Sequence, residues 1–159
     1  MINDLKLSTP LASNKIPTVT YIYLQIFTRL GDPMEFIKQH HDKFFTAFRI
    51  LVGFGFMTHG MQKLFGVFGG KGVELMSLFG LAGVIELVVG LLVLVGFFAR
   101  YAAVLGGVTM LVAYFYAHAS NGWLPIVNKG ELAIMYFAAF LVMVTHEDKT
   151  WSLEKMLMK

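Results

Sequence analysis

The chain has 159 residues, of which 57% are hydrophobic and only 14% are charged. This is more apolar surface than a soluble core of that length can bury, so the composition predicts an all-α membrane protein. The absence of cysteine excludes thiol, disulfide and iron–sulfur chemistry carried by the chain itself. The net charge of +3 is explained by basic residues that orient a membrane protein, so we expect membrane lipid as a partner and no nucleic acid.

Residues 1–32 are predicted to form a flexible N-terminal arm, and they lack the apolar core of a signal peptide. A short aromatic run within the arm, at 21–27, cannot cross a bilayer and is expected to lie on its surface. Asp32 followed by Pro33 is typical of a helix start, as N-cap and first helical residue. We therefore predict a juxtamembrane helix that carries the polar residues 40–43 into the headgroup region.

Residues 33–146 are predicted to form a membrane domain with four transmembrane helices, and residues 147–159 an amphipathic tail on the cytoplasmic surface. The predicted spans cover residues 44–65, 78–98, 101–119 and 129–146. A helix needs about 17 to 25 residues to cross a bilayer, and the fourth span reaches this length only with its polar edges included. The short connecting loops predict an antiparallel four-helix transmembrane bundle.

The distribution of lysine and arginine predicts the orientation of the bundle. Nine of them fall before the first span, at Arg100 and in the tail, whereas three fall on the other side, at Lys63, Lys71 and Lys129. Because basic residues favour the cytoplasmic side, we predict that both ends of the chain are cytoplasmic. This arrangement requires an even number of spans.

Small residues recur within the predicted spans, where they allow helix backbones to approach closely. They are Gly53, Gly55, Gly80, Gly83, Gly90 and Gly96, and the pairs Ala102 with Gly106 and Ala103 with Gly107. Lipid supplies no hydrophobic drive between helices, so this pattern predicts a bundle held by close backbone contact.

Each predicted span carries an ionisable residue near the same end of the bundle. The candidates for substrate binding or proton relay are Arg49, His59, Lys63, Glu86, His118 and Glu131. An unpaired charge in the middle of a membrane helix costs about 2.5 to 3.5 kcal/mol, so we expect Glu86 to pair with Lys63 or His59. The alternative is that these residues form ion pairs that only hold the helices together.

The types and positions of these residues do not identify a catalytic group or a metal site, and they do not determine which cofactor binds. A quinone is compatible with them. Haem ligation by His59 and His118 is disfavoured, because two isolated histidines are weak evidence and His118 lies at a helix end. A metal set of His59, Glu86, His118 and Glu131 is possible by ligand type alone.

The order of these residues resembles the DoxX family of small bacterial membrane proteins. The resemblance covers roughly residues 44–146. It rests on Arg49, His59-Gly60, Lys63, Gly83, Glu86, Gly90, Gly96 and Arg100, and more loosely on Gly130-Glu131. It implies a multi-pass four-helix bundle in the bacterial cytoplasmic (inner) membrane and an association with redox complexes. Some members of that family are a subunit of a thiosulfate:quinone oxidoreductase.

From this resemblance we expect a subunit or small-molecule site associated with quinone or sulfur-compound redox chemistry, with a possible redox partner subunit. His59 and Glu86 would carry protons, and Lys63 would polarise a quinone oxygen. The alternative is a non-enzymatic scaffold or small carrier that anchors a partner protein. A carrier would have internal repeats and a midplane site, and the sequence has no evident repeat. Whether the chain is catalytic stays open.

Overall fold

A computed structural model describes residues 17, 19–23, 26, 33–146 and 151–157, and within them all regular secondary structure is helical. Most of the predicted arm, Asp32 and the start of the predicted tail lie outside these residues. The chain divides into two compact units, residues 1–40 and 41–159. In the first unit, helix α1 spans Pro33–Gln39 and begins at the proline that the sequence indicated.

The described part of the second unit contains four long apolar helices and two short ones. They are α2 (His41–Phe65), α3 (Leu78–Val95), α4 (Ala99–Ala113), α5 (Pro125–Asn128), α6 (Glu131–Thr145) and α7 (Leu153–Leu157). A π-helical segment, Tyr114–His118, and a 3-10 turn, Ala119–Asn121, continue α4. Within the described chain, three continuous helices are long and apolar enough to cross a membrane, namely α2, α3 and Ala99–Asn121. The expected helical membrane architecture is therefore confirmed, whereas the fourth span, which is α6 with 15 residues, stays a prediction.

Two local signals define α3. The hydroxyl of Ser77 accepts a hydrogen bond from the amide of Gly80 at 3.0 Å and caps the first turn. Gly96 ends the helix in the left-handed conformation, with φ of 69°. A Cβ atom at this position would also lie 2.7 Å from Nη1 of Arg49, so the cap and the arginine need a glycine here.

Helices α2 and α3 approach each other through four glycines. A Cβ atom on Gly53 would lie 2.9 Å from the carbonyl oxygen of Gly90, and one on Gly60 would lie 2.7 Å from that of Gly83. The helices are therefore antiparallel, with each glycine pair at one level. Because seven residues make about two helical turns, the two glycines of each helix lie on one stripe. Close packing through small residues, as the sequence predicted, is confirmed for these helices.

The bundle core continues between the other helices. Helix α2 packs mainly on α3, α4 packs on α6, and α3 also contacts α4. Phe140 of α6 is buried and lies over Gly106 of α4. Its ring packs against that of Phe56, with the ring centroids 4.8 Å apart. Large apolar side chains point away from the bundle on every long helix, such as Leu51, Leu81, Val112 and Leu141. Such a surface suits contact with lipid.

Candidate functional site

A cavity of 180 Å³ lies where α2 ends and where α3 and α6 begin. Its walls are partly apolar, with Phe56, Met110 and Leu132 among them. Six of its residues carry polar side chains, and we call the space they share the polar cavity: His59, Lys63, Glu86, His118, Lys129 and Tyr136. Residues from four long helices, the π-helical segment and one loop thus reach this space.

An ion pair between Lys63 and Glu86 joins α2 to α3 at this cavity. The Nζ atom of Lys63 contacts Oε1 of Glu86, and the side chains are 30% and 2% exposed. Gly83 makes room for the pair, since a Cβ atom there would lie 3.1 Å from Cβ of Lys63. The second carboxylate oxygen, Oε2, is buried and has no hydrogen-bond partner among the described residues. Buried carboxylate oxygens are normally satisfied, so Oε2 is an acceptor suited to a bound molecule or water.

His59 and Tyr136 line the cavity from facing helices. Their rings meet edge to face, with centroids 5.8 Å apart and an interplanar angle of 88°. The tyrosine hydroxyl lies over Gly55 of α2, where a Cβ atom would come within 2.4 Å of it. The absence of a side chain at Gly55 therefore lets the hydroxyl of Tyr136 approach α2.

The π-helical segment brings His118 to the cavity. In an α-helix, the fifth residue along lies about 140° around the axis, so His118 would not share a face with Ala113. In a π-helix the wider turn, closed by i→i+5 hydrogen bonds, brings the fifth residue back toward the face of the first. The amide of Ala119 makes such a bond to the carbonyl of Tyr114, and both Ala113 and His118 line the cavity.

Asn128, which is buried, organises the loop beside His118. Its side chain donates to the carbonyl of Gly122 at 2.7 Å and accepts from the amide of Gly130 at 2.8 Å. Its own carbonyl lies 3.1 Å from Nδ1 of His118. Because a carbonyl oxygen only accepts, Nδ1 carries the proton, and Nε2 is the ring nitrogen that can take another. The next residue, Lys129, adopts φ of 61° and lines the cavity.

Comparison with known proteins decides the family. A profile of the DoxX family matches residues 44–119, which run from α2 to the 3-10 turn after α4. A relative from Haemophilus influenzae, described as an uncharacterized protein, is 36% identical over 118 aligned positions, covering 70% of this chain and 88% of the relative. The chain belongs to the DoxX family. No solved structure matches it significantly.

Four of the six predicted site residues line the polar cavity of this DoxX protein, and all four lie in the matched segment. The two others lie elsewhere. Glu131 is exposed at the start of α6 and is not part of the cavity wall. Arg49 is buried at the opposite end of α2, where its guanidinium donates to the carbonyls of Leu94 at 2.8 Å and Trp151 at 2.6 Å. It thereby offsets the partial negative charge at the end of α3.

Sequence reasoning missed two cavity residues, Lys129 and Tyr136. In the sequence, Lys129 served only as one of the basic residues that predict the orientation of the bundle. Nothing in its position in the chain shows that the loop folds back over the bundle. Tyr136 had a signal, since it carries the first polar side chain after Glu131 in an otherwise apolar helix. Polar side chains within membrane helices usually face the bundle interior.

Proposed function

We propose that this DoxX protein is a membrane subunit of a redox assembly in the bacterial inner membrane and that its polar cavity binds a quinone headgroup. The observation that carries the proposal is the Glu86 carboxylate. It is 2% exposed, lines a cavity and has one oxygen without a partner among the residues described. A buried ionisable group in a membrane helix is a functional candidate by default.

The composition of the cavity supports a quinone. Phe56, Met110 and Leu132 provide apolar surface for a ring, and the amines of Lys63 and Lys129 provide donors for its carbonyl oxygens. Small-molecule sites commonly combine apolar walls with a few well-placed polar groups. The cavity volume of 180 Å³ suits a headgroup rather than a whole lipid.

The polar side chains suggest how protons move at the site. A bound quinone supplies coupled electron and proton transfer. Because reduction of a quinone to a quinol consumes two protons, Oε2 of Glu86 would take up a proton from water and deliver it into the cavity, while Lys63 holds the opposite oxygen of the carboxylate. His118, held at Nδ1 by Asn128, would take up and deliver the second proton at Nε2, and His59 lies one helical turn from Lys63 on the cavity wall. Neutral histidine and a buried carboxylate are the usual groups for such exchange.

Electrons must come from a partner, because the chain has no cysteine and no cofactor-binding signature. The family resemblance favours a partner that oxidises a sulfur compound. With four spans and both ends cytoplasmic, the polar cavity lies in the outer half of the membrane. Residues 33–146 then form the membrane domain, flanked by the N-terminal arm and the cytoplasmic tail.

The test is quinone retention by the purified protein. We expect the native chain, extracted from bacterial membranes, to contain quinone and to bind a short-chain quinone analogue in equilibrium dialysis. Glu86→Gln should lower both, whereas Glu131→Gln, a matched change outside the cavity, should lower neither. A chain without quinone, or equal binding by the folded Glu86 variant, would contradict the proposal and favour the scaffold alternative.

A further inference from the structure

A second group of ligating side chains lies far from the polar cavity. His41 and Asp42 begin α2, and His146 directly follows α6. One nitrogen or oxygen of each residue lies within 4.8 Å of the others. Eighteen residues of α2, about 27 Å at 1.5 Å per residue, separate His41 from His59. We propose that His41, Asp42 and His146 bind a divalent transition-metal ion of the zinc type.

The donor set fits such an ion. Two imidazoles and one carboxylate are ligands for zinc and for neighbouring first-row ions, with bonds of about 2.0 to 2.2 Å. In tetrahedral geometry these bonds place donors about 3.4 Å apart. Nδ1 of His41 and Oδ1 of Asp42 are already 3.3 Å apart. The third donor is His146. A small rotation of the His41 side chain, which is 59% exposed and therefore has room to turn, would bring the donors together.

His146 is held for this role by its surroundings. The residue leaves α6 in an extended conformation, with φ of −105° and ψ of 135°. Its ring packs on Phe45 at a centroid distance of 3.8 Å and faces His41 at 4.9 Å. Its Nε2 atom is buried without a hydrogen-bond partner in the described part of the chain. A buried imidazole nitrogen with no partner is an expected feature of a ligand awaiting an ion.

The position of the site suggests what the ion does. The three ligands come from two chain segments more than a hundred residues apart, at the start of α2 and the end of α6. Elsewhere the backbones of these two helices approach closely at few places, and the helices meet through rings such as Phe56 with Phe140 and His59 with Tyr136. A bound ion would therefore fasten the end of α6, which has 15 residues, to the start of α2. Since the ion binds only the folded chain, it should also raise thermal stability.

The test uses the full chain, purified in detergent without a histidine tag and stripped with a chelator. Zinc binding is measured by competition with a chromophoric chelator, and cobalt absorption reports the geometry. We expect one ion per chain and a higher melting temperature with zinc. His41→Ala and His146→Gln should each weaken zinc binding at least about tenfold, because even outer-shell changes at metal sites cost that much.

His40→Ala is the matched control, since it removes the neighbouring histidine, which bonds to the carbonyl of Phe36 instead. It should leave zinc affinity unchanged. Melting of every variant in chelator shows whether it is folded. The proposal fails if the folded His41 and His146 variants bind zinc like the native chain, if His40→Ala weakens binding equally, or if the combined variant of His59 and His118 abolishes it.

Discussion

Lys63 and Glu86 lie on neighbouring antiparallel helices, and their ion pair closes one side of the polar cavity. The carboxylate side chain is almost completely buried, whereas the lysine side chain is 30% exposed. The pair therefore joins a buried carboxylate to a partly exposed cation. Because glycines bring α2 and α3 into backbone contact beside the pair, the two side chains span a short gap.

A double-mutant cycle tests what this pair contributes. Breaking a buried ion pair costs about 3 to 5 kcal/mol, and the 30% exposure of Lys63 reduces this, so we expect a loss on the order of 2 kcal/mol for Glu86→Gln. Glu86→Gln combined with Lys63→Met should cost less than the sum of the single changes, because no charge is then left unpaired. Detergent melting measures the cycle.

The same cycle separates the functional and structural roles of the pair. If the cavity binds quinone, the combined variant should regain stability yet retain no quinone. Glu131→Gln is the control and should change stability by less than about 0.5 kcal/mol, since the residue is exposed. Additive losses across the cycle would reject the coupling between Lys63 and Glu86. Native quinone content in the combined variant would leave only the structural role.

The glycine contact between α2 and α3 gives a second prediction. A Cβ atom at Gly60 would lie 2.4 Å from the backbone nitrogen of Leu87, so Gly60→Ala must push the helices apart. We expect a loss of about 1 to 3 kcal/mol, which is typical of overpacking. Gly107→Ala is the control, because its Cβ would find its nearest neighbour at 3.6 Å. It should be neutral or stabilising, and equal losses would contradict the proposed close contact.

Much of this fold follows from the sequence because its causes are local or energetically large. Long apolar segments predict the helices, and the predicted start of the second span at residue 78 agrees with α3, whereas its predicted end at residue 98 lies beyond Val95 because Gly96 ends the helix. The pairing of Glu86 with a basic residue of α2 was also predictable, since an unpaired charge within a membrane helix is costly, but the sequence left Lys63 and His59 as alternatives. Small residues within the predicted spans indicated close packing, although they did not reveal which pairs meet.

Other features depend on geometry that composition does not record. The π-helical turn that carries His118 into the cavity changes the hydrogen-bond pattern without a distinctive residue type. The same holds for Lys129, which reaches the cavity because Asn128 folds the loop back. The approach of His146 to His41 requires α6 to dock against the start of α2. Such contacts arise from tertiary packing and not from local pattern.

Asn128 supports a third prediction. Replacing it with leucine removes the acceptor for the amide of Gly130 and the donor for the carbonyl of Gly122. Buried polar groups left unsatisfied cost about 1 to 3 kcal/mol each, so the melting temperature should fall clearly. Asn121→Leu changes an exposed asparagine of the adjacent 3-10 turn and should have little effect. Equal melting of the two variants would show that the loop network contributes nothing.

Arg49 gives a fourth prediction, at the opposite end of the bundle. Its guanidinium reaches carbonyls at the end of α3 and at Trp151 from two separate nitrogens, a planar fork that the single nitrogen of lysine does not reproduce. Arg49→Lys should therefore destabilise the protein despite the retained charge, by about 1 to 3 kcal/mol. Arg100→Lys alters an exposed arginine that bonds to the carbonyl of Val144, and its effect should be smaller. Full stability of the Arg49→Lys variant would show that geometry at this site is unimportant.

The last prediction concerns whether α6 crosses the membrane. With 15 residues it is about 22 Å long, whereas the apolar core of a bilayer is about 30 Å thick. Four spans with both ends cytoplasmic nevertheless agree with the distribution of lysine and arginine. Because the chain has no cysteine, single cysteines report their side directly when intact cells are treated with a thiol reagent that does not cross the membrane.

Cysteine in place of Met76, between α2 and α3, and of Asn121, after the π-helical segment, should be labelled from outside. Cysteine in place of Met156 in α7 should be protected until the cells are opened. Both methionines are strongly exposed, at 92% and 75%, so protection of either reflects the membrane and not burial in the fold. Labelling of all three in intact cells would mean that α6 does not cross, because the tail would then share the side of Asn121. Labelling of Met156 alone would reverse the proposed orientation, since the loops and the tail would have exchanged sides.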